Sequence, residues 1–324
     1  MRLILAQILV SVTLCFFHCG LAYSWYREDD FDPEQHKNWH LLPPKDKCGL
    51  ASEQRIIGGY VAKLGSIPWI ARIAYSRTRN ERRILSDKFI SFACGGTLIS
   101  KYYILTAAHC TTNPEQIMFV RLGEHNTNTN PDCQVLGDKV VCAPPVQDIL
   151  VDKVIQHEEY TNDANMRNDV ALLKLEKTPE LNHYVQPVCL PYGDGLKYNF
   201  EGKDTIVAGW GLTEDGVPSR DLLAVNQKVF NADRCKLAYA DNGISIDYNS
   251  GQMCVGGNVG KDSCNGDSGG PLTWMGSFDS AISARTYLIG LVSLGPASCG
   301  VYEIPGVYSR TSYFLRWILD HLDE

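Results

Sequence analysis

Beyond its first two dozen residues, the 324-residue sequence has no long apolar run, and this absence argues against a membrane-spanning helix in the rest of the chain. The sequence also has no block of basic residues: 37 acidic residues outnumber 30 basic ones, for a formal net charge of −7. Nucleic-acid phosphates require clustered Lys and Arg, which this chain does not offer. We therefore expect neither nucleic acid nor a membrane as a partner.

Two short signals are missing as well. No C-x-x-C pair occurs, which disfavours zinc as the reason for the many cysteines, and no Asn-x-Ser/Thr triplet occurs, so N-glycosylation is not expected. Cysteine itself is abundant: two of the twelve lie in the first 24 residues and ten follow. An even number in a secreted chain indicates disulfides, although spacing alone leaves the pairing of ten cysteines open.

The N-terminal segment predicts secretion. Residues 1–24 combine a basic start at Arg2, an apolar stretch over residues 3–17 and small residues near Ala22 and Ser24, which is the pattern of a signal peptide. A membrane anchor fits less well, because the apolar stretch is short and is interrupted by His18 and Gly20. Residues 25–55 lack periodicity and predict an extended leader, and the Pro pair at 43–44 prevents a helix there.

From residue 56 onward, short apolar runs alternate with Gly, Pro and Asn turns, as in an all-β sandwich or barrel. The clearest predicted strands are residues 96–100, 102–108, 117–123, 204–211 and 287–295. The C-terminal end differs, because its apolar residues from Phe314 to Leu322 recur at helical spacing. We expect an amphipathic C-terminal helix there, capped by Thr311 or Ser312.

Three local motifs supply the residues of a nucleophilic hydrolase. His109 lies in TAAHC (106–110), Asp169 precedes an apolar run in NDVALLKL (168–175), and Ser268 lies in GDSGGP (266–271). A serine hydroxyl is a weak nucleophile at neutral pH, so it needs an imidazole to take its proton and a third group to hold that imidazole. The order His, Asp, Ser along the chain is one of the few known arrangements of such a triad.

Two other interpretations of the glycine-rich regions are weaker. The pattern G-x-S-x-G around Ser268 also matches the nucleophile elbow of α/β-hydrolases, but only His321 follows it and no strand–helix alternation precedes it. The segment GGNVGK (256–261) suggests a phosphate-binding loop. That motif, however, would require Gly where Val255 stands and Ser or Thr where Asp262 stands.

Together the three motifs resemble those of the trypsin-like serine proteases, and the resemblance covers about residues 56–324. It implies an all-β fold of two packed six-stranded Greek-key β-barrels with a C-terminal α-helix and the catalytic cleft between the barrels. The chain looks most like arthropod clip-domain proteases. Residues 25–55 contain only Cys48, however, so we expect the six-cysteine clip domain to be absent.

The resemblance also implies the roles of the catalytic residues. Ser268 would be the nucleophile, His109 the general base and then acid, and Asp169 the group that orients the imidazole and stabilises its cation. The backbone N–H groups of Gly266 and Ser268 would form the oxyanion hole.

The segment RIIGGY (55–60) resembles the activation site of this family. Cleavage after Arg55 would free the amine of Ile56, which would turn inward and pair with the carboxylate of Asp267. A buried ion pair of this kind typically costs about 3–5 kcal/mol to break, enough to keep a loop ordered. Residues 25–55 would then be the light chain or propeptide, and residues 56–324 the peptidase domain.

Asp262, six residues before the serine, stands where trypsin-like enzymes carry the acid that binds a substrate Arg or Lys. Ser293, Gly295 and Gly306 match the substrate strand and the pocket walls. One departure is Leu294, because the family usually has Trp between the serine and glycine of that strand.

The family also implies the disulfide pairing and a metal loop. The loop at 121–133 resembles a calcium loop, in which Glu124 and Asp132 would give carboxylates and Asn126 and Thr129 carbonyl oxygens, whereas the alternative is a polar hairpin without metal. The expected disulfides are Cys48–Cys189, Cys94–Cys110, Cys133–Cys142, Cys235–Cys254 and Cys264–Cys299.

From these features we predict a secreted, extracellular zymogen of a trypsin-like serine endopeptidase, acting in an immune or developmental cascade. Its partners would be protein substrates such as another protease zymogen, an upstream activating protease and a serpin-type inhibitor. A non-catalytic homologue that serves as a binding module is a second hypothesis, disfavoured by the intact triad. A digestive trypsin is a third, disfavoured by the long leader and its expected tether at Cys48.

Overall fold

The computed structural model describes residues 31–50, 60–76, 89–213, 215–241, 243–257, 266–295 and 304–324. Residues 33–324 belong to one unit, which contains all the elements below. Several sequence predictions lie outside the described residues, namely the signal peptide and Arg55, Ile56, Asp262, Cys264 and Cys299.

Strands dominate the described chain. In chain order they are β1 (Tyr60–Val61), β2 (Ile70–Ser76), β3 (Ile90–Leu98), β4 (Tyr103–Thr106), β5 (Ile117–Leu122), β6 (Cys133–Leu136), β7 (Lys139–Cys142), β8 (Gln147–Gln156), β9 (Ala171–Leu175), β10 (Asp204–Gly209), β11 (Leu223–Lys228), β12 (Gln252–Val255), β13 (Pro271–Gly276), β14 (Arg285–Leu294) and β15 (Gly306–Arg310). Each of the five strands predicted most clearly from the sequence contributes to one of these elements.

Six strands of the first half close into an antiparallel barrel in the order β2-β3-β4-β9-β8-β5. Apolar side chains fill it, since β4 is buried along its whole length and β9 along all but one residue. The predicted strand at 102–108 ends early, at Thr106, and the chain then turns into a 3-10 helix over Ala108–Thr111. That turn carries His109 out of the barrel wall.

The second half forms a seven-stranded sheet in the order β1-β11-β10-β13-β14-β15-β12. Strand β12, at one end of this order, is joined to the segment just after β11 by a bridge between Val255 and Val229. Two backbone hydrogen bonds flank this bridge: Phe230 donates to Cys254 at 2.7 Å and Gly256 donates to Lys228 at 2.9 Å. Strands β10 to β15 thereby surround the second core, and the expectation of two six-stranded barrels with a C-terminal helix is confirmed.

Two α-helices are present in the described residues, α1 (Ala232–Ala240) and α2 (Thr311–Asp320), and neither is long and apolar enough to span a membrane. Helix α2 is the amphipathic C-terminal helix expected from the sequence. Its predicted cap is wrong, because Arg310 is the N-cap, with extended φ and ψ, and Thr311 already lies in the first turn. Strand β15 runs directly into the helix, which leaves no turn for a capping hydroxyl.

Four of the five expected disulfides are present: Cys48–Cys189, Cys94–Cys110, Cys133–Cys142 and Cys235–Cys254. The third closes the two-stranded hairpin of β6 and β7, which agrees with a short surface loop. The first joins the leader to the rest of the chain over a separation of 141 residues.

The leader is more ordered than the sequence suggested, because it contains 3-10 helices at Pro33–Gln35 and Trp39–Leu41 and packs on α2. The side-chain amide of Asn38 donates to the carbonyl oxygens of both Leu319 and Leu322 at 2.9 Å. Carbonyls at a helix C-terminus have no partner within the helix, so a donor from elsewhere stabilises them. The leader and the final helix are therefore held together by these hydrogen bonds, in addition to the disulfide that joins the leader to Cys189.

Replacing Asn38 with Ala should lower the free energy of unfolding by about 1–3 kcal/mol, because two partly buried carbonyl oxygens would lose their donor. Urea denaturation would measure the loss. The exposed Asn249 provides a matched control, since Asn249→Ala should change stability by less than about 0.5 kcal/mol. Equal stabilities of the two variants would show that the Asn38 side chain contributes nothing to the end of α2.

Candidate active site

The imidazole of His109 and the carboxylate of Asp169 form the centre of the site. Nδ1 of His109 lies 2.8 Å from Oδ2 of Asp169, and the backbone N–H of His109 donates to Oδ1 at 2.8 Å. Asp169 is 0% exposed, whereas the His109 side chain is 20% exposed. The carboxylate therefore fixes both the ring and the backbone of the histidine, and the opposite edge of the ring is left for other contacts.

The turn that carries His109 is held from three sides. The disulfide Cys94–Cys110 joins it to β3, and the Tyr75 hydroxyl donates to the carbonyl oxygen of Cys110 at 2.9 Å. Burial raises the pKa of Tyr75, so its hydroxyl stays protonated and remains a donor. From β8, the amide of Gln156 donates to the carbonyl oxygen just before the histidine at 2.9 Å. The imidazole thus sits on a rigid support.

Two serines also contact Asp169. The Ser293 hydroxyl on β14 donates to Oδ2, and the Ser309 hydroxyl on β15 donates to the backbone carbonyl oxygen of Asp169 at 2.6 Å. Burial of a carboxylate is costly unless its oxygens are hydrogen-bonded, and the Ser293 hydroxyl supplies part of that compensation. The Ser309 hydroxyl instead holds the backbone of Asp169 in place. The sequence analysis placed Ser293 in the substrate strand only and missed Ser309 altogether, since neither is near Asp169 in the sequence.

The loop that carries Ser268 packs against the support of His109. The backbone N–H of Gly95, next to Cys94, donates to the carbonyl oxygen of Ser268 at 2.8 Å, and Gly269 donates to Val292 at 2.8 Å. The structure therefore brings the serine loop of the second barrel onto β3 of the first, one residue from the disulfide that holds the histidine turn.

Gly269 allows this close approach. Its φ is +73°, a conformation that favours glycine, and a Cβ there would overlap the Thr106 hydroxyl and lie 2.7 Å from the carbonyl oxygen of Gly95. Any side chain at this position would push the serine loop away from the histidine turn.

The other predicted glycines have distinct places. Gly266 has φ +102° at the start of the serine loop, which only glycine adopts readily. Gly295 follows β14, and no atom of the described residues lies within 4 Å of the point that its Cβ would occupy. Gly306 begins β15 opposite Val255.

Asp267 lies in a narrow slot lined by two glycines. Its Oδ1 accepts the backbone N–H of Gly211 at 2.8 Å, and a Cβ on either Gly209 or Gly211 would collide with the carboxylate. The carboxylate points inward from the serine loop, so the residue beside the serine is anchored in the second barrel.

The loop predicted to bind calcium brings its two acids together. Oε1 of Glu124 and Oδ2 of Asp132 both accept the backbone N–H of His125, at 3.1 and 2.7 Å, and both acids are buried. Burial raises the pKa of Glu124, and the neighbouring charge of Asp132 raises it further. The other Glu124 oxygen lies 3.9 Å from Arg72 and 3.5 Å from Arg121, which offset part of the charge.

The other two predicted ligands line the same loop. The carbonyl oxygen of Asn126 accepts the backbone N–H of Thr129 at 3.0 Å, and the Thr129 hydroxyl donates to Asp132. A set of hard oxygen donors with two adjacent carboxylates is the chemistry that calcium prefers. The residues present therefore fit a calcium ion.

In the part of the chain that the structure describes, one further group of side chains is close enough to share a metal, namely Cys94, His109 and Cys110. Both cysteines are bonded to each other, so they cannot ligate a metal.

Replacing Gly269 with Ala should lower the kcat/KM for peptide hydrolysis by about 100-fold or more, because a misplacement of about 1 Å at a reacting group has that effect. Gly202→Ala is the control. Gly202 has a similar φ of +72°, but no atom of the described residues lies within 4 Å of its Cβ position. The control variant therefore has the same backbone strain as Gly269→Ala without the steric overlap. Circular dichroism would establish that both variants are folded. Similar activity of the two variants would contradict the steric explanation.

Comparison with known proteins agrees with this geometry. The family model described as Trypsin matches residues 56–318. The CLIP domain-containing serine protease HP8 of Bombyx mori is 40% identical over 291 residues, which cover 88% of this chain and 74% of that protein. The Spaetzle-processing enzyme of Drosophila melanogaster is 38% identical over 292 residues, covering 87% and 70%.

A solved structure agrees as well. The crystal structure of the Drosophila Grass clip serine protease of the Toll pathway superposes with a TM-score of 0.72 at 34% identity, covering 85% of this chain and 74% of that one. With a family model over most of its length and these relatives, the chain belongs to the trypsin family of serine endopeptidases.

Proposed function

We propose that the protein is a secreted zymogen that is activated by a cut after Arg55 and then cleaves extracellular proteins after Arg or Lys. The observation that carries the proposal is the buried Asp169 carboxylate bound to His109, with the Ser268 loop docked beside it. Two similar proteins carry names that refer to processing of Spaetzle and to the Toll pathway, which supports a role in a proteolytic cascade.

In this proposal His109 takes the proton of the Ser268 hydroxyl as the latter attacks the substrate carbonyl carbon, and later returns a proton to the leaving amine. Asp169 keeps the Nδ1 proton in place, so that Nε2 is the basic nitrogen, and stabilises the imidazolium. The backbone N–H groups of Gly266 and Ser268 would stabilise the oxyanion. One such donor contributes about 2.7–4 kcal/mol in comparable sites.

Activation would proceed through Asp267. The glycine slot holds this carboxylate inward, where a new α-amino group at Ile56 would find a partner of opposite charge. A cation in such a slot offsets the cost of burying the carboxylate and would order the serine loop. In the uncut chain that amine does not exist, so the proposal explains why the leader must be cut.

Specificity for a basic residue would come from Asp262, whose carboxylate matches the charge of Arg or Lys. Gly295 and Gly306 would leave room for the long side chain, and the backbone of Ser293 would pair with the substrate. With Leu294 in place of the usual aromatic residue, the wall beside the next substrate residue is aliphatic.

Secretion is supported by the disulfides. Four of them are present in the described residues, and disulfides persist mainly in oxidising compartments. An extracellular setting would expose the enzyme to an upstream protease that cuts after Arg55, to protein substrates such as another zymogen, and to a serpin-type inhibitor.

The function is tested by cutting the full secreted chain after Arg55 and adding an active-site phosphonate probe. The cut enzyme should bind the probe at Ser268 and should cleave a peptide library after Arg and Lys. Arg55→Gln should yield a folded, secreted protein that resists the activating protease and reacts at least about 100-fold more slowly, because its oxyanion hole would be incomplete.

A specificity variant completes this experiment. Asp262→Ser, cut in the same way, should still react with a small phosphonate probe but should lose its preference for basic residues. Full activity of the uncut chain would contradict the zymogen proposal, and equal cleavage after aromatic residues by the native enzyme would contradict the assignment of Asp262.

We also propose that calcium binds the loop through Glu124, Asp132 and the carbonyl oxygens of Asn126 and Thr129. At a calcium concentration about 100-fold above Kd the melting temperature should rise by about 5–10 °C relative to a chelator. Glu124→Gln should abolish the rise, whereas the exposed Asp138→Asn should retain it. An unchanged melting temperature of the native protein would mean that Arg72 and Arg121 suffice as counter-charges.

A further inference from the structure

A groove of about 500 Å³ lies between the loop that precedes Asp169 and the segment from α1 to β12. Arg167 lines one side, and Lys236, Ala240, Ile244 and Asp247 line the other. None of these residues has a part in the catalytic chemistry, the activation or the calcium loop described above.

The two cations of the groove are exposed. Among the described residues, neither the Arg167 nor the Lys236 side chain makes an ion pair or a hydrogen bond. The only carboxylate in the lining is Asp247, and its Oδ1 already accepts the backbone N–H of Asn249 at 2.9 Å. The groove therefore has a local excess of positive charge in a chain whose net charge is −7.

The walls of the groove are tied to each other. Asn165, on the Arg167 side, accepts the backbone N–H of Ser245 from the opposite side at 2.9 Å. The Gln252 amide on β12 donates to the backbone carbonyl oxygen of Asn165 at 2.7 Å. A groove whose width is fixed before binding loses little conformational freedom when a ligand enters.

The groove adjoins the active site along the chain, since Arg167 stands two residues before Asp169. The residues on either side of Arg167, Met166 and Asn168, have φ of +48° and +54°. They are the only non-glycine residues with positive φ in the part of the chain that is described. Such strained conformations persist where the surrounding structure enforces them, often at functional sites. Here they lie on either side of Arg167 and constrain its backbone.

We propose that this groove binds a carboxylate-bearing segment of the protein substrate, outside the residues next to the cleaved bond. This rests on the proposed function, because it requires that the substrate be a polypeptide. Arg167 and Lys236 would pair with Asp or Glu side chains of the segment, and the aliphatic surface of Ile244 and Ala240 would contact its apolar atoms.

The lining favours a peptide over a sulfated polysaccharide. A densely sulfated chain requires a row of cations and no carboxylate, whereas this groove offers two cations, one carboxylate and aliphatic walls. A peptide that alternates acidic and apolar side chains matches that mixture. Pairs at an exposed rim contribute mainly to selectivity and to association rate, and salt weakens them.

The test compares cleavage of a proteome-derived peptide library by four forms of the full enzyme, each cut after Arg55. These are the native form, the groove variant Arg167→Gln/Lys236→Gln, the reversed variant Arg167→Glu/Lys236→Glu, and the control Lys139→Gln/Lys177→Gln. The control removes the same charge from exposed lysines elsewhere on the chain. A short basic peptide substrate that cannot reach the groove is measured in parallel.

For the native enzyme and the control, we expect library cleavage sites to be enriched in Asp and Glu at fixed positions away from the bond. The groove variant should lose that enrichment, and its kcat/KM for an acidic library peptide should fall about 2- to 30-fold, the range for two exposed pairs. The reversed variant should prefer Lys and Arg at the same positions. The short substrate should be cleaved equally by all four forms.

Identical profiles of the native enzyme and the groove variant would overturn the inference, and so would competition by heparin without competition by a hexaglutamate peptide. Neither result would affect the proposed function. If that function were wrong, the native enzyme would instead fail to cleave the library and fail to react with the phosphonate probe.

Discussion

A charged carboxylate without any solvent exposure lies at the point where the two barrels meet. Burying Asp169 would cost several kcal/mol if its oxygens were unpaired. Its partners come from both halves of the molecule, with the ring and backbone N–H of His109 from the first barrel and the Ser293 hydroxyl from the second. Incorrect docking of the barrels would remove the Ser293 hydroxyl and leave part of that charge uncompensated. The interaction that orients the imidazole therefore also favours the correct arrangement of the two barrels.

How far the sequence predicts this molecule depends on whether the signal is local. The apolar run after Asp169 is local, and β9 follows it as expected; the three motifs are local too, and they indicated the family. Ser293 and Ser309 have no such signal, because they reach Asp169 from 124 and 140 residues away through the pairing of β14 and β15. The predicted helix cap was wrong for a similar reason: β15 ends at Arg310 and the helix begins at the next residue, Thr311, so tertiary structure overrides the capping preference of threonine.

The shape of the serine loop depends on glycines both inside and outside the GDSGGP motif, and the motif alone does not reveal those outside it. In the sequence, the glycines of GDSGGP suggest only backbone freedom. In the structure, Gly269 lets the loop approach Thr106, while Gly209 and Gly211, which are remote in sequence, make room for Asp267. The loop is thus shaped by absent side chains on two segments of the chain, and only one of those segments belongs to the motif. A substitution at Gly209 would act on the site by displacing the Asp267 carboxylate, although Gly209 itself lies outside the motif.

The contact between Asn38 and the last helix would hold the leader in place after the proposed cut. A cut at residue 55 would divide the polypeptide, yet residues 33–50 would still complete the end of α2 through Asn38 and stay bonded at Cys48. Under the proposed activation, the shorter fragment would therefore remain attached as a subunit rather than leave as a prosegment. Reduction of the Cys48–Cys189 disulfide alone would therefore not release the shorter fragment, because the Asn38 contacts would remain. A recombinant form that begins at residue 56 would lack the side chain that binds the carbonyl oxygens at the end of α2.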